Sequence, residues 1–256
     1  MRRLSTARKR GNAHGACGLA PPRAPCPRVS RHPRCTLLLD ADDTLWENHA
    51  YFLKVYDDWL DMMMARGQQR DASRTAFRIE EDARTRRYGY GSRNFAESLC
   101  AACERLEGTL DASLATEVRA MGEWIHEHPI ELKSAVRSTL EDLASRHRLM
   151  LVTKGHSLEQ SAKIARSGVA HLFPECEIMH EKDPASYAEL VQRHGFDDAN
   201  TWMVGNSPKS DIIAAAAAGL KTVHIPHHTT WELEHREGPC QPDLLLATFS
   251  ELTLHF

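Results

Sequence analysis

Short apolar runs alternate along the chain with longer stretches in which apolar residues recur every third or fourth position. Five runs carry the strand pattern, over residues 36–40, 149–153, 176–180, 201–204 and 221–225. Helical periodicity separates the last four, over 157–167, 184–194 and 209–220. Strands apolar on both faces that alternate with helices predict an α/β fold, a parallel sheet covered by helices on both sides. A further apolar run at 243–246 predicts an edge strand.

The interval between the first two strands departs from this rhythm. It exceeds 100 residues and is helical in pattern over 47–66, 72–87, 94–106 and 113–126. Within it Leu53, Tyr56, Trp59, Leu60 and Met63 recur at spacings of three and four, which marks one buried helix face. Residues 47–132 are therefore expected to form a small helical bundle threaded into a core made of 35–46 and 133–256, with 134–147 as the crossover helix into the second strand. No internal repeat is present.

Charge modifies this picture at one end only. The net charge is −3, yet residues 1–34 hold nine Arg or Lys and no acid, which leaves the remainder near −12. An acidic body does not suit general nucleic-acid binding, and none is expected. The first 34 residues also contain Pro21, Pro22, Pro25, Pro27 and Pro33, so a disordered basic leader is expected there. Its alternatives are a targeting segment, a weak anion-binding arm, or a start assigned too far upstream. No run approaches the roughly 18 apolar residues of a membrane span. Seven cysteines form no evident framework; Cys100 and Cys103 have redox-pair spacing but lie in a helical pattern, where two helix-face thiols are the simpler reading. Cysteine usage of this kind suits a reducing cytoplasm.

Candidate chemistry gathers at the strand ends. Asp40 and Asp42 follow the run Leu37-Leu38-Leu39 and, if both lay on the strand, would point to one face. Thr153 ends the second run, with Lys154 after it. Lys182 stands between Glu181 and Asp183 just before a predicted helix, and either acid could pair with it. Gly205-Asn206-Ser207-Pro208-Lys209-Ser210-Asp211 follows the fourth run. The carboxyl ends of parallel strands are where open α/β sheets bind ligands.

These four features, in this order and with a helical insert directly after the first, resemble the haloacid dehalogenase-like (HAD) superfamily over about residues 35–250. Finer similarity in Asp40-Ala41-Asp42-Asp43-Thr44-Leu45-Trp46, Tyr88-Gly89-Tyr90-Gly91, Gly205-Asn206-Ser207-Pro208 and Ile225-Pro226-His227 points to a bacterial-type phosphatase branch. The resemblance implies a Rossmann-like three-layer core with an inserted α-helical cap domain. It also implies a small phosphorylated metabolite as substrate. Asp40 would be the nucleophile that forms an aspartyl-phosphate, and Asp42 the general acid and then base. Thr153 would hydrogen-bond a phosphoryl oxygen, and Lys182 would neutralise charge on Asp40 and the phosphate. Asp40, the Asp42 backbone carbonyl, Asn206 and Asp211 would hold Mg²⁺, a hard cation suited to oxygen ligands.

The fourth motif departs from the family pattern. Asn206 stands where an aspartate is usual, so the metal would be held by one acid fewer or Asp211 would carry more of the load. Asn206 raises two alternatives: metal-independent 2-haloacid dehalogenation, which does not need the second acid, and a catalytically weak phosphate-binding or sensing module. Retention of Asp42 favours the phosphatase.

On the substrate side, Arg84, Arg86 and Arg87 precede Tyr88-Gly89-Tyr90-Gly91, a candidate specificity loop for an anionic or ring-bearing substrate. A helix–helix turn with solvated arginines is the alternative. Lys154 is expected at the solvent surface. His224, His227, His228 and His235 lie near one another in sequence but lack helical metal-ligand spacing; a structural or rim role is expected rather than a zinc site. Trp231 and Leu233 are expected in a short helix beside the sheet.

Overall fold

In the computed structural model, residues 34–231, 234 and 240–256 are described. The expected leader lies outside them apart from Arg34, as do Leu233 and His235. Six parallel strands form one sheet in the order β3-β2-β1-β4-β5-β6. They are β1 (Thr36–Leu39), β2 (Arg148–Lys154), β3 (Glu175–Met179), β4 (Thr201–Gly205), β5 (Lys221–His224) and β6 (Leu244–Leu245). The first strand in sequence is central, between β2 and β4, so strand order reverses on either side of it. Such a switch point opens a crevice at the carboxyl ends of the strands.

The leucine run of β1 serves both faces of the sheet. Leu37 and Leu39 enter a cluster with Leu149, Leu151 and Val204, while Leu38 enters another with Met150, Val152 and Met203. Helices α5 (Val136–Ala144), α6 (Ser157–Arg166) and α9 (Leu252–His255) contribute Leu140, Ile164 and Leu252 to the first cluster. Helices α7 (Pro184–His194) and α8 (Ala214–Ala217) contribute Leu190 and Ala215 to the second. The result is the expected three-layer core.

Four helices occupy the long interval: α1 (His49–Ala65), α2 (Arg70–Tyr88), α3 (Ser92–Glu107) and α4 (Ala112–Glu127). They share a cluster of their own around Trp59, Met63, Phe77, Leu99 and Val118. Trp59, Leu60 and Met63 are buried as their spacing predicts, but Leu53 is 38% exposed and Val55 takes the inward position. Cys100 and Cys103 are buried free thiols, and Cys103 accepts a hydrogen bond from Trp59 Nε1. The chain leaves and re-enters the core side by side. Trp46 bridges Leu132, Glu47 N–H donates to Glu131 and Lys133 N–H donates to Leu45.

Two elements differ from the pattern. The first strand ends at Leu39 rather than at residue 40. The helix expected over 209–220 opens instead as a π-turn, Pro208–Ile213, before α8. Asp211 and Ile212 both direct their N–H groups to the Ser207 carbonyl, while the Asp211 carboxylate takes the Ser207 N–H at 2.9 Å. Periodicity of apolar residues does not register such a local widening, which is common beside functional sites.

Because Leu38 is fully buried between two strands, Leu38→Ala should lower stability by about 2–5 kcal/mol in urea unfolding. Leu254→Ala, at a side chain 73% exposed, should change it by less than about 0.5 kcal/mol. Equal effects would show that β1 is not the centre of the core.

Candidate active site

Parallel pairing aligns the strand ends. Leu39 sits level with Leu151 on one side and Val204 on the other, and the Asp40 N–H continues the ladder to the Val204 carbonyl at 2.9 Å. Asp40 therefore emerges where β1, β2 and β4 stop. Its Oδ1 accepts from Lys182 Nζ at 2.6 Å and its Oδ2 from Thr44 Oγ1 at 2.8 Å. The same Lys182 ammonium donates to Asp211 Oδ1 at 2.7 Å, and all three side chains are buried. Neither Glu181 nor Asp183 pairs with this ammonium. Glu181 turns to Lys154, and Asp183 caps α7 through the Ser186 N–H.

One ammonium thus faces two carboxylates. Burial first, and then the Asp211 charge, push the Asp40 carboxyl up to about 7 against the opposing pull of Lys182. The Asn206 side chain completes this corner. Its Oδ1 lies 3.2 Å from Thr44 Oγ1, so one hydroxyl proton is shared between Asp40 and Asn206. The His224 ring bonds the Asn206 carbonyl at 3.1 Å, necessarily as donor. Gly205 permits the close approach, because a Cβ there would lie 2.2 Å from Asp211 Oδ2.

Asp42 does not share a face with Asp40. The chain has left the strand by then; Asp42 bridges Trp46, and the next residue, Asp43, has φ +63°. The Asp42 carboxylate accepts from Lys163 Nζ at 2.6 and 2.7 Å, from Gln160 Nε2 at 2.9 Å and from Trp46 Nε1 at 2.7 Å. Burial works to raise its pKa, but the Lys163 charge and hydrogen bonds from Lys163, Gln160 and Trp46 outweigh burial and lower it. Thr153 is buried at the end of β2, and its Oγ1 accepts from the same Gln160 amide at 3.0 Å. Gln160 and Lys163 lie on consecutive turns of one face of α6. Sequence reasoning missed them, although the signal was present: a helix that starts at a strand's carboxyl end directs its first turns at the crevice.

Lys154 is a correction. Rather than facing solvent, its Nζ is held by Glu181 at 3.0 Å, Ser210 Oγ at 3.0 Å and Glu234 Oε1 at 2.6 Å, with its side chain 14% exposed. Glu234, which also accepts from Ser207 and Ser210, is held down at about 2 because these contacts outweigh its burial. Tyr90 docks on this group. Its hydroxyl donates to Glu181 at 2.6 Å, its ring lies 4.3 Å from Lys154 Nζ, and Trp231 meets it edge-on. Two residues on, the Ser92 N–H donates to Glu159 at 2.9 Å. The candidate loop is therefore clipped to the core. Its arginines are turned away: Arg86 pairs with Asp82, and Arg84 and Arg87 stack on Tyr88. The arginine that lines the crevice is Arg78, which the sequence did not single out.

His227 braces the point where the chain enters the helices. Its Nε2 lies 3.0 Å from Glu47 and its Nδ1 3.0 Å from Thr229 Oγ1. Asp43, whose carboxyl burial pushes up to about 7, accepts the N–H groups of Asn48 and His49 at the start of α1. Ligand atoms of Asp43, Glu47 and His227 lie within 4.8 Å of one another, with Glu47 and His227 bonded to each other and Asp43 to the start of α1.

Asp40, Asp42, Thr153, Lys182, Asn206 and Asp211 all border one cavity of about 1080 Å³ that extends among α1, α2 and the start of α3. Among the described residues no helix is long and apolar enough to cross a membrane.

A family model described as haloacid dehalogenase-like hydrolase matches residues 36–219. A glyceraldehyde 3-phosphate phosphatase of Methanothermobacter thermautotrophicus is 32% identical over 99 residues, 36% of this chain and 44% of that protein. The matched region thus spans less than half of that curated relative. A haloacid dehalogenase-like hydrolase structure from Xanthomonas campestris superposes with a TM-score of 0.71 at 25% identity, over 87% of this chain and 94% of that one. The 2-haloacid dehalogenase of Pseudomonas syringae shares the fold, with a TM-score of 0.58 at 20% identity over 86% and 97% of the two chains. The match runs from the strand carrying Asp40 through the turn carrying Asp211, and the chain belongs to the haloacid dehalogenase-like hydrolase family.

Proposed function

We propose that this hydrolase cleaves small phosphomonoesters with the help of Mg²⁺, through an aspartyl-phosphate on Asp40. The observation that carries the reading is Asp42, a second carboxylate two residues past Asp40 that borders the same cavity. An alkoxide leaving group needs a proton, and a halide does not. The phosphatase name of the curated relative supports the same choice.

The residues at the strand ends suit a magnesium ion. Asp40, Asn206 and Asp211 offer oxygens only, and two carboxylates around one ammonium leave an excess negative charge. Asp40, the Asp42 carbonyl, Asn206 and Asp211 would hold the ion. When bound, it would supply positive charge that draws a phosphate dianion toward Asp40.

The chain's own groups then divide the work. A carboxylate oxygen of Asp40 attacks phosphorus as the bond to the ester oxygen breaks. Lys182 neutralises charge on Asp40 and the phosphate, and the Thr153 hydroxyl donates a hydrogen bond to a phosphoryl oxygen. Asp42 gives its proton to the leaving oxygen, then takes one from the water that attacks phosphorus, and inorganic phosphate leaves with Asp40 restored. For the first of these steps Asp42 must exchange its contact with Lys163 for a proton. The helices over 47–132 would serve as a cap that excludes water. Among the described residues the thiols of Cys100, Cys103, Cys176 and Cys240 accord with the proposed cytoplasmic setting.

One observation favours a second reading. Lys163 holds Asp42 ionised as the structure stands, which suits dehalogenation of 2-haloacids as well. Purified protein should release phosphate from a phosphomonoester panel only with Mg²⁺ present; chloride released from 2-chloropropionate in EDTA, without phosphate release, would reverse the assignment. Asp40→Asn should lower turnover by about 10⁴-fold or more with the melting temperature retained. Retained turnover would exclude Asp40 as nucleophile. Asn206→Asp should lower the Mg²⁺ concentration needed for half-maximal rate, and an unchanged requirement would remove residue 206 from the ligand set.

A further inference from the structure

The cavity that begins at Asp40 is far larger than a phosphate and a three-carbon chain require. Its volume of about 1080 Å³ lies just above the roughly 300–1,000 Å³ typical of pockets for drug-sized ligands. Its chemistry changes with distance from the strand ends. The floor is charged, with Asp40, Lys182 and Asp211. Above it, α1 starts beside Asn48, whose Oδ1 lies 3.0 Å from Lys163. Four, five and eight residues past Asn48 stand Phe52, Leu53 and Tyr56, all on the cavity wall. At 1.5 Å per residue they cover a span about 6–12 Å from the start of the helix.

Packing within the helical insert accounts for only part of this wall: Phe52 and Tyr56 lie partly buried against its cluster, whereas Leu53 lies outside it. Its own cluster is filled by Trp59, Leu60 and Met63 on the inward face of α1. Leu53 is instead 38% exposed, and Ile79 from α2 is 46% exposed and lines the same cavity. Large apolar side chains open to a crevice, beside a charged floor, mark a surface that a ligand covers. Phe52 and Tyr56 stay partly open while their neighbours Phe95 and Phe77 hold their rings, at centroid distances of 5.1 and 4.8 Å. Ring faces held in this way favour a flat partner. The far end is not purely apolar, since Arg78 and Asp82 from α2 border it.

We infer that the substrate of this site is a phosphomonoester with a ring-bearing apolar body, on the order of 10 Å long, that lies along α1 between Leu53 and Ile79 while its phosphate meets Asp40 and Lys182. This rests on the phosphatase reading and narrows its substrate class away from short sugar phosphates.

The test compares 2-phenylethyl phosphate and 2-(2-naphthyl)ethyl phosphate with glycerol 3-phosphate. All three are primary alkyl phosphates, so the leaving group is held nearly constant and the ratio of kcat/KM values reports contacts with the body. The arylethyl esters should be preferred by roughly 10- to 100-fold, the scale expected for burying one ring. In Leu53→Asn/Ile79→Asn that preference should fall about tenfold, with the melting temperature kept because both side chains are already open to the cavity. Glycerol 3-phosphate turned over as well as the aryl esters would overturn the inference and leave the phosphatase reading standing. An aryl preference unmoved by the double substitution would likewise overturn it. Hydrolysis of none of the three, together with none in the wider phosphomonoester panel, would remove both readings.

Discussion

A single buried ammonium holds this site together. Lys182 bonds Asp40 on one side and Asp211 on the other, and those three residues come from three separate connections of the sheet. Removing the Lys182 ammonium would leave two buried carboxylates without a counter-charge, at a cost of roughly 3–5 kcal/mol, so the loops after β1, β3 and β4 are tied to one geometry. Smaller features serve that arrangement. Gly205 leaves the space that the Asp211 carboxylate occupies, and the π-turn presents it. The Tyr187 hydroxyl, from α7, fastens the same turn at the Ser210 carbonyl. Two carboxylates surround one lysine in this corner, an arrangement that would accommodate the proposed magnesium ion.

A second lysine does different work a short distance away. Lys154 gathers Glu181, Glu234 and Ser210 and offers its charge to the face of Tyr90. Through Tyr90 and Glu159 the loop between α2 and α3 is fixed to the sheet, so the cavity has a wall made jointly by core and insert. At the opposite entrance, His227 with Glu47 and the Asp43 carboxylate at the start of α1 brace the paired linkers. The insert is thus fastened at two places, with the cavity between them.

Asp42 links these regions to the chemistry. Lys163 reaches from α6 to both Asp42 and Asn48, so the residue proposed as acid and base shares a partner with the N-cap residue of α1. A change in how α1 meets the core would therefore be felt at Asp42.

Much of this protein was legible in its sequence, for a physical reason. A parallel strand buried on both faces must be apolar throughout, and the leucines at 37–39 could serve nothing else; five such runs specified the sheet, and their polar ends specified Asp40, Thr153, Lys182 and the stretch from Asn206 to Asp211. Helical spacing likewise marked Trp59, Leu60 and Met63 as core. What the sequence could not contain was direction. Asp42 swings off the strand to Lys163, Lys154 turns inward to Glu234, and Leu53 faces the cavity while Val55 faces the bundle. The arginines beside Tyr88 lie outside the cavity, and Arg78 lies on it. The charged partners of Asp42 and Lys154 stand 121 and 80 positions away along the chain, and the side that Leu53 or Val55 takes is set by a turn of the helix axis. Periodicity reports which residues avoid water, a local property of the chain. Which charge meets which is decided only when the parallel sheet brings the strand ends to one edge, and that is a property of the tertiary structure alone.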